Sequence, residues 1–321
     1  MTRIAILDDW QDVARESADW SALAERAELV FFAEALSAED AAAALADFDI
    51  ILTMRERTPF PASLVQRLPK LRMIGITGGN NPTLDVEACT RQGITVCDTG
   101  SANGAPYAPA ELALALLLAA ARAIPAADAN MRAGRFQHGV PVGMGLAGKT
   151  LGIIGLGRLG ARVARYAAAL DMKVVAWNPN LTEATAQERG ARLVSKADLL
   201  ATSDAITLHM VLSPSSKGII DAEDIARMKQ GAILINTSRG PLVEEAALIA
   251  AVQSGHIIAA LDVYDTEPLP DDHPLRGASH TVLTPHLGYG VAETWHAWYS
   301  SSIENAQAFL DGKPIRVVEP K

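Results

Sequence analysis

The sequence predicts an α/β protein built from two doubly wound parallel-sheet domains. Three observations carry this expectation. Short apolar runs alternate with longer helical patterns along the 321 residues, the alternation restarts at Lys149, and a long apolar helix with a Gly-rich tail stands between the two series. Strand and helix in alternation require crossover connections, and these make a parallel sheet covered on both faces.

In chain order, the first strands are "RIAILDD", "DIILTM", "LRMIGITGG" and "GITVCD". The second series is "KTLGIIG", "KVVAWNP", "DAITLHM", "AILINTS", "IIAALDVYD" and "TVLTPH". Each run is short, apolar and bounded by polar or turn residues, as strands buried on both faces are. Between the series, "PYAPAELALALLLAAARAIP" reads as one long helix with Pro109 near its start and Pro125 just past its end. A boundary is expected near residue 100. A faint internal echo links "DIILTM" to "DAITLHM", and "KLRMIGITGG" to "KQGAILINTSRG". Ligands of such sheets bind outside the carboxyl ends of the strands, so the loops "TGGNN" and "TSRG" are expected at ligand sites.

Composition narrows the function classes. The hydrophobic share is 49%, enough to bury a large core, and the net charge of −9 argues against nucleic acid or anionic membrane as the partner. The longest apolar block, "LALALLLAAA" at 112–121, falls short of the roughly 20 residues of a membrane span. The N-terminus has no secretory pattern, and Cys89 and Cys97 read as free thiols of a cytoplasmic protein. No His or Cys cluster has metal-ligand spacing, and "DDH" at 271–273 reads as a solvated loop.

The stretch "LGIIGLGRLG" places Gly155, Gly157 and Gly160 after a strand and at the start of the helical pattern "RLGARVARYAAAL". That context is what a dinucleotide fingerprint requires. Gly155 would make the tight turn, Gly157 would admit the pyrophosphate, and Gly160 would let the helix lie on its strand. An acid usually ends the next strand and holds the ribose; here Asn178 stands in that place, with Arg158 close by in the loop. NAD is therefore favoured and NADP stays open.

Three later strands end in chemistry: Arg239 after "AILINTS", Asp262 and Glu267 in "IIAALDVYDTEP", and His286 in "TVLTPH". A carbonyl that accepts hydride becomes an alkoxide and needs a proton, which an imidazolium supplies near neutral pH. His286 is placed in that role, Glu267 as the carboxylate that orients it, and Arg239 as the fork that grips a substrate carboxylate. Together they specify a 2-oxo acid.

The motifs "GIIGLGRLG", "LHMVLS", "INTSRGPLV", "ALDVYDTEPLP" and "LTPHLGY", in this order, resemble the D-isomer-specific 2-hydroxyacid dehydrogenase family. The resemblance implies a Rossmann dinucleotide-binding domain over 100–286. It also implies a flavodoxin-like substrate-binding domain made of 1–99 and 287–321. Under it, Arg239, Glu267 and His286 are the catalytic trio, and Asp262 holds the nicotinamide carboxamide. Leu159, His209, Val211, Thr237, Ser238 and Gly288 join the glycine loop in lining the cofactor site. Arg55 in "MRERTPF" lies near the substrate, and Gly78 and Gly79 offer it backbone N–H groups. Val211 stands where a proline is common, and Glu267 favours hydroxyacid over formate chemistry. The partners implied are a small 2-oxo or 2-hydroxy acid and a second copy of the chain, a homodimer formed through 106–148. The alternative from another class is a dinucleotide-sensing, corepressor-like interaction protein on the same fold. The aromatic stripe Trp295, Trp298 and Tyr299 reads as core packing, ahead of a lid over the substrate.

Overall fold

The computed structural model describes residues 1–79, 81–100 and 104–320. The chain divides into two compact units, Met1–Pro106 with Gly290–Lys321, and Tyr107–Tyr289. The divisions fall after residues 106 and 289, where the sequence suggested 99 and 286.

The first unit holds β1 (Thr2–Ile6), β2 (Ala27–Phe31), β3 (Ile50–Thr53), β4 (Met73–Ile76) and β5 (Thr95–Asp98). They form one sheet in the order β2-β1-β3-β4-β5, with every pairing parallel. The central strands "IILT" and "MIGI" are buried at every position, which explains their unbroken apolar reading. A final helix, Ala292–Leu310, returns to this unit. On it Trp295, Trp298 and Tyr299 are all buried, and Trp295 stacks on Tyr299 at 5.7 Å between ring centroids. The stripe is core packing. Cys89 and Cys97 are free and buried, and burial pushes both thiols up to about 11.

The second unit holds β6 (Thr150–Ile154), β7 (Lys173–Trp177), β8 (Arg192–Leu193), β9 (Ala205–Leu208), β10 (Ala232–Asn236), β11 (Ile257–Leu261) and β12 (Thr281–Leu283). Their order is β12-β11-β10-β9-β6-β7-β8, again all parallel. The chain steps outward from β6 in both directions, so β6 and β9 flank the topological switch point, where such sheets bind ligands.

Two features depart from the sequence reading. Strands β2 and β8 were not expected; both are sheet edges, β8 is two residues long, and neither shows a buried apolar run. The single long helix is in fact two, Ala108–Ala121 and Ile124–Arg132, bent by 66°. Ala123 breaks it by taking a left-handed conformation (φ 49°), and Pro125 then occupies the first turn of the second helix, where its missing N–H costs nothing. Among the described residues no single helix is long and apolar enough to cross a membrane. Nor do three or more potential metal ligands cluster among them; His273 of "DDH" instead meets Glu245 at 3.3 Å.

Candidate active site

The glycine loop leaves β6 and starts the helix Arg158–Ala169, whose buried positions Gly160, Val163, Ala164 and Ala167 form one stripe. The three glycines have different neighbours. Gly155 has φ 97°, and a Cβ there would lie 2.6 Å from the His209 carbonyl oxygen. A Cβ on Gly160 would lie 2.3 Å from the Gly155 oxygen, so helix and strand touch backbone to backbone. At Gly157 a Cβ meets nothing within 4 Å, and this residue caps the helix with no side-chain hydrogen bond. The cradle at Gly157 and the helix N-terminus behind it suit a diphosphate. Leu159 packs against the core beneath the helix, and Arg158 has its guanidinium 6.0 Å from the Tyr107 ring.

The remaining cofactor positions ring the same strand ends. Asn178 follows β7 and accepts from the Asn180 N–H at 3.4 Å within its own turn. His209 follows β9 and shares a 3.0 Å hydrogen bond with Thr207 Oγ1. Val211 is 85% exposed. After β10, Ser238 Oγ donates to the Leu208 carbonyl at 2.8 Å, while the Thr237 Oγ1 is buried with no partner among the described residues. A buried hydroxyl left unmet in this loop, together with the open cradle at Gly157, fits a dinucleotide.

Burial pushes the His209 imidazole down from its ordinary 6.5 to about 4, so the ring is neutral at physiological pH. The unfolded chain takes up this proton below about 6.5 and the folded one only near 4. Stability is therefore greatest above 6.5 and declines as the pH falls towards 4, by about 3 kcal/mol at 1.36 kcal/mol per unit. Urea denaturation between pH 7 and 4 should show this slope in the native chain and a shallower one in His209→Asn. Equal slopes would remove His209 as its source.

The trio lies wholly within the second unit, on loops after adjacent strands β10, β11 and β12. His286 Nδ1 and Glu267 Oε2 are 2.6 Å apart, with side chains 17% and 20% exposed. Glu267 Oε1 accepts from the Tyr264 N–H at 3.0 Å, and the Tyr264 hydroxyl donates to the Thr284 carbonyl at 3.0 Å. One buried tyrosine thus ties the glutamate's loop to the strand that delivers the histidine. With Nδ1 engaged, Nε2 is the nitrogen left for proton transfer.

Arg239 is set by its neighbours. Buried Asn236 accepts from the Ser238 N–H at 3.0 Å and donates to the Arg239 carbonyl at 2.8 Å, bracketing the turn. Gly240 then passes so close to the glutamate's loop that a Cβ would sit 2.1 Å from the Tyr264 carbonyl carbon. The spacing between the arginine loop and the glutamate loop is therefore set by backbone contact.

Asp262 is buried at the end of β11. Its carboxylate accepts from Thr284 Oγ1 (2.5 Å), the Leu287 N–H (2.7 Å) and the Gly288 N–H (2.9 Å). These donors flank His286, which has φ 56°. A left-handed non-glycine residue persists only where its surroundings over-determine it, and Asp262 supplies that constraint on both sides of the imidazole. Burial, the leading influence, raises the Asp262 carboxyl above the usual range. Sequence reading missed Asn236, Tyr264 and Gly240; the glycine after Arg239 and the tyrosine inside "DVYD" were the available signals.

The first unit carries the other named positions after its strands β3 and β4. The Arg55 guanidinium lies across Gly78, where a Cβ would be 2.8 Å from Nη1. The Gly78 N–H was expected to face substrate; instead it donates to Thr99 Oγ1 at 2.8 Å, because the left-handed turn (φ 72°) aims it at the end of β5. Asn80 of "TGGNN" lies outside the described residues.

Residues 114–288 match the family model described as D-isomer specific 2-hydroxyacid dehydrogenase, NAD binding domain. A D-3-phosphoglycerate dehydrogenase of Mycobacterium tuberculosis is 40% identical over 272 residues, 84% of this chain and 51% of that protein. This chain spans about half the length of that relative and of the similar enzyme from Mycobacterium bovis. A hydroxypyruvate reductase of Blautia hydrogenotrophica is 33% identical over 310 residues, 94% of each chain. Among solved structures, a phosphoglycerate oxidoreductase from Vibrio cholerae O395 has a TM-score of 0.90 at 35% identity, covering 97% of this chain and all of that one. The chain belongs to the D-isomer specific 2-hydroxyacid dehydrogenase family, and its second unit carries that family's NAD-binding domain.

Proposed function

We propose that this chain interconverts a 2-oxo acid and the corresponding D-2-hydroxy acid. The observation that carries the proposal is the 2.6 Å contact of His286 with Glu267, on a loop whose spacing from Arg239 is set at Gly240. NADH, when bound, supplies the hydride. Gly155, Gly157, Arg158, Gly160, Asn178, His209, Thr237 and Ser238 hold the dinucleotide, with the open cradle at Gly157 taking its diphosphate. Arg239 pairs with the substrate carboxylate and draws electron density towards the carbonyl oxygen. His286 Nε2 delivers the proton to that oxygen, and Glu267 holds the imidazolium and steadies its orientation. In the oxidative direction the same nitrogen removes the hydroxyl proton.

The chain is further proposed to act as a homodimer. Leu118, Ile124, Met131, Phe136 and Val142 expose 38 to 101% of their surface within 106–148, a concentration of bare apolar groups that a second copy would cover. Nothing in the site favours the alternative of an interaction protein.

The test is a panel of glyoxylate, pyruvate and hydroxypyruvate with NADH, and D-3-phosphoglycerate with NAD in the opposite direction. At least one pair is expected to turn over. Silence across the panel and with longer 2-oxo acids would end the proposal.

A further inference from the structure

Strand β7 ends at Trp177 and runs into "NPNLT", a turn with no charged side chain. Its end is tied to the glycine loop within the second unit, because the Gly155 N–H donates to the Trp177 carbonyl at 3.0 Å. At this strand end of a dinucleotide-binding unit an acid accepts from the adenosine ribose hydroxyls and repels a phosphate on the 2′ oxygen. Asn178 brings no such repulsion. Its Oδ1 accepts from the Asn180 N–H at 3.4 Å, so Nδ2 is the donating end of the amide. Arg189, an exposed residue just after the short helix Glu183–Glu188, turns back to the same place. Its Nη1 donates to the carbonyl oxygen of Leu156, between Gly155 and Gly157. That bond uses one N–H of the guanidinium, and among the described residues no carboxylate pairs with the rest. A positive charge is thus tethered to the loop that opens the dinucleotide site, on the side chain whose planar fork matches a phosphate.

We infer that Asn178 and Arg189 form a site for the 2′-phosphate of NADPH, so that the chain takes the phosphorylated dinucleotide as well as NADH. Arg189 supplies the charge and paired donors, and Asn178 adds a neutral donor where a carboxylate would exclude the phosphate. The inference goes beyond the proposed function, which identifies the hydride acceptor and is silent on this phosphate. It concerns binding, and it stands or falls independently of which 2-oxo acid is reduced.

Isothermal titration calorimetry on the full chain tests this with two pairs of ligands that differ only in the 2′-phosphate. One pair is NADPH and NADH, the other adenosine 2′,5′-bisphosphate and adenosine 5′-monophosphate. The native chain is expected to bind NADPH within roughly tenfold of NADH, and the bisphosphate roughly tenfold or more tighter than the monophosphate, as hydrogen bonds to a charged group provide. Arg189→Met keeps an unbranched stem and removes the charge; the ratio of the NADPH to the NADH Kd should rise roughly 10- to 100-fold. Asn178→Asp should raise the same ratio at least as far, because it restores the repelling acid. Equal binding of the two adenosine nucleotides by the native chain overturns the inference, as does an NADPH Kd more than roughly tenfold above that of NADH. An unchanged ratio in Arg189→Met also overturns it, since equal weakening of both dinucleotides would make this arginine a brace for the glycine loop. Should a variant fail to fold, the native chain's two comparisons decide alone. None of these readings needs turnover, so a silent substrate panel would leave them intact, and a missing phosphate site would leave the reaction with NADH standing.

Discussion

Replacing His286 by alanine is expected to lower kcat for 2-oxo acid reduction by roughly 10²- to 10⁴-fold, the usual contribution of a positioned general acid. The argument is geometric. Nδ1 of this ring is held 2.6 Å from Glu267, and the backbone on its C-terminal side is fixed by two N–H bonds to Asp262. The ring has one remaining nitrogen, and its loop has little freedom to offer another group in its place. The variant should bind NADH as the native chain does, because the glycine cradle after β6 is untouched. Stopped-flow NADH fluorescence and steady-state rates on the same preparation separate the two effects. Native kcat in the variant would refute the assignment of His286. Glu267→Gln should show a smaller loss, since the amide still accepts from the Tyr264 N–H but no longer stabilises an imidazolium.

Gly240→Ala is expected to damage both stability and rate, although residue 240 bears no chemistry. An added Cβ would lie 2.1 Å from the Tyr264 carbonyl carbon, 2.4 Å from its oxygen and 2.5 Å from the Asp265 nitrogen. All three are backbone atoms with no rotamer to yield. Overpacking against movable side chains costs about 1–3 kcal/mol, and here the arginine and glutamate loops must separate. A loss of about 3 kcal/mol lowers the melting temperature by roughly 6–12 °C in a unit the size of Tyr107–Tyr289. The Arg239 to Glu267 spacing should widen with it, and kcat should fall more than tenfold. Gly157→Ala is the matched control: its Cβ meets nothing within 4 Å, so the melting temperature should hold while the KM for NADH rises. A Gly240→Ala protein with native melting temperature and rate would show that the two loops are not held by this contact.

How much of this was legible beforehand follows from what each residue's signal depends on. Strands such as "IILT" and "AILIN" are visible because both faces are buried and the run is unbroken. The edge strand "AELVF" is mostly half-exposed and carries no such mark. The break at Ala123 was invisible because alanine ordinarily continues a helix; its left-handed backbone is a demand of the surrounding fold.

The site divides along the same line. Gly155, Gly157, Gly160, Arg239, Glu267 and His286 could be named from the linear chain, since the switch-point rule puts strand ends at the ligand and each residue type has a limited chemistry. The holders of those groups could not. Asp262 reaches residues 22 to 26 positions away, and Tyr264 spans 20 to Thr284. Periodicity and local propensity thus determined the two-sheet architecture, and residue chemistry at its strand ends named the candidate reacting groups. The tertiary structure decided the Asp262 clamp on His286, the commitment of the Gly78 N–H to Thr99 and the contact at Gly240. Hydrogen-bond direction and backbone approach depend on which distant segments become neighbours, and no local pattern encodes that.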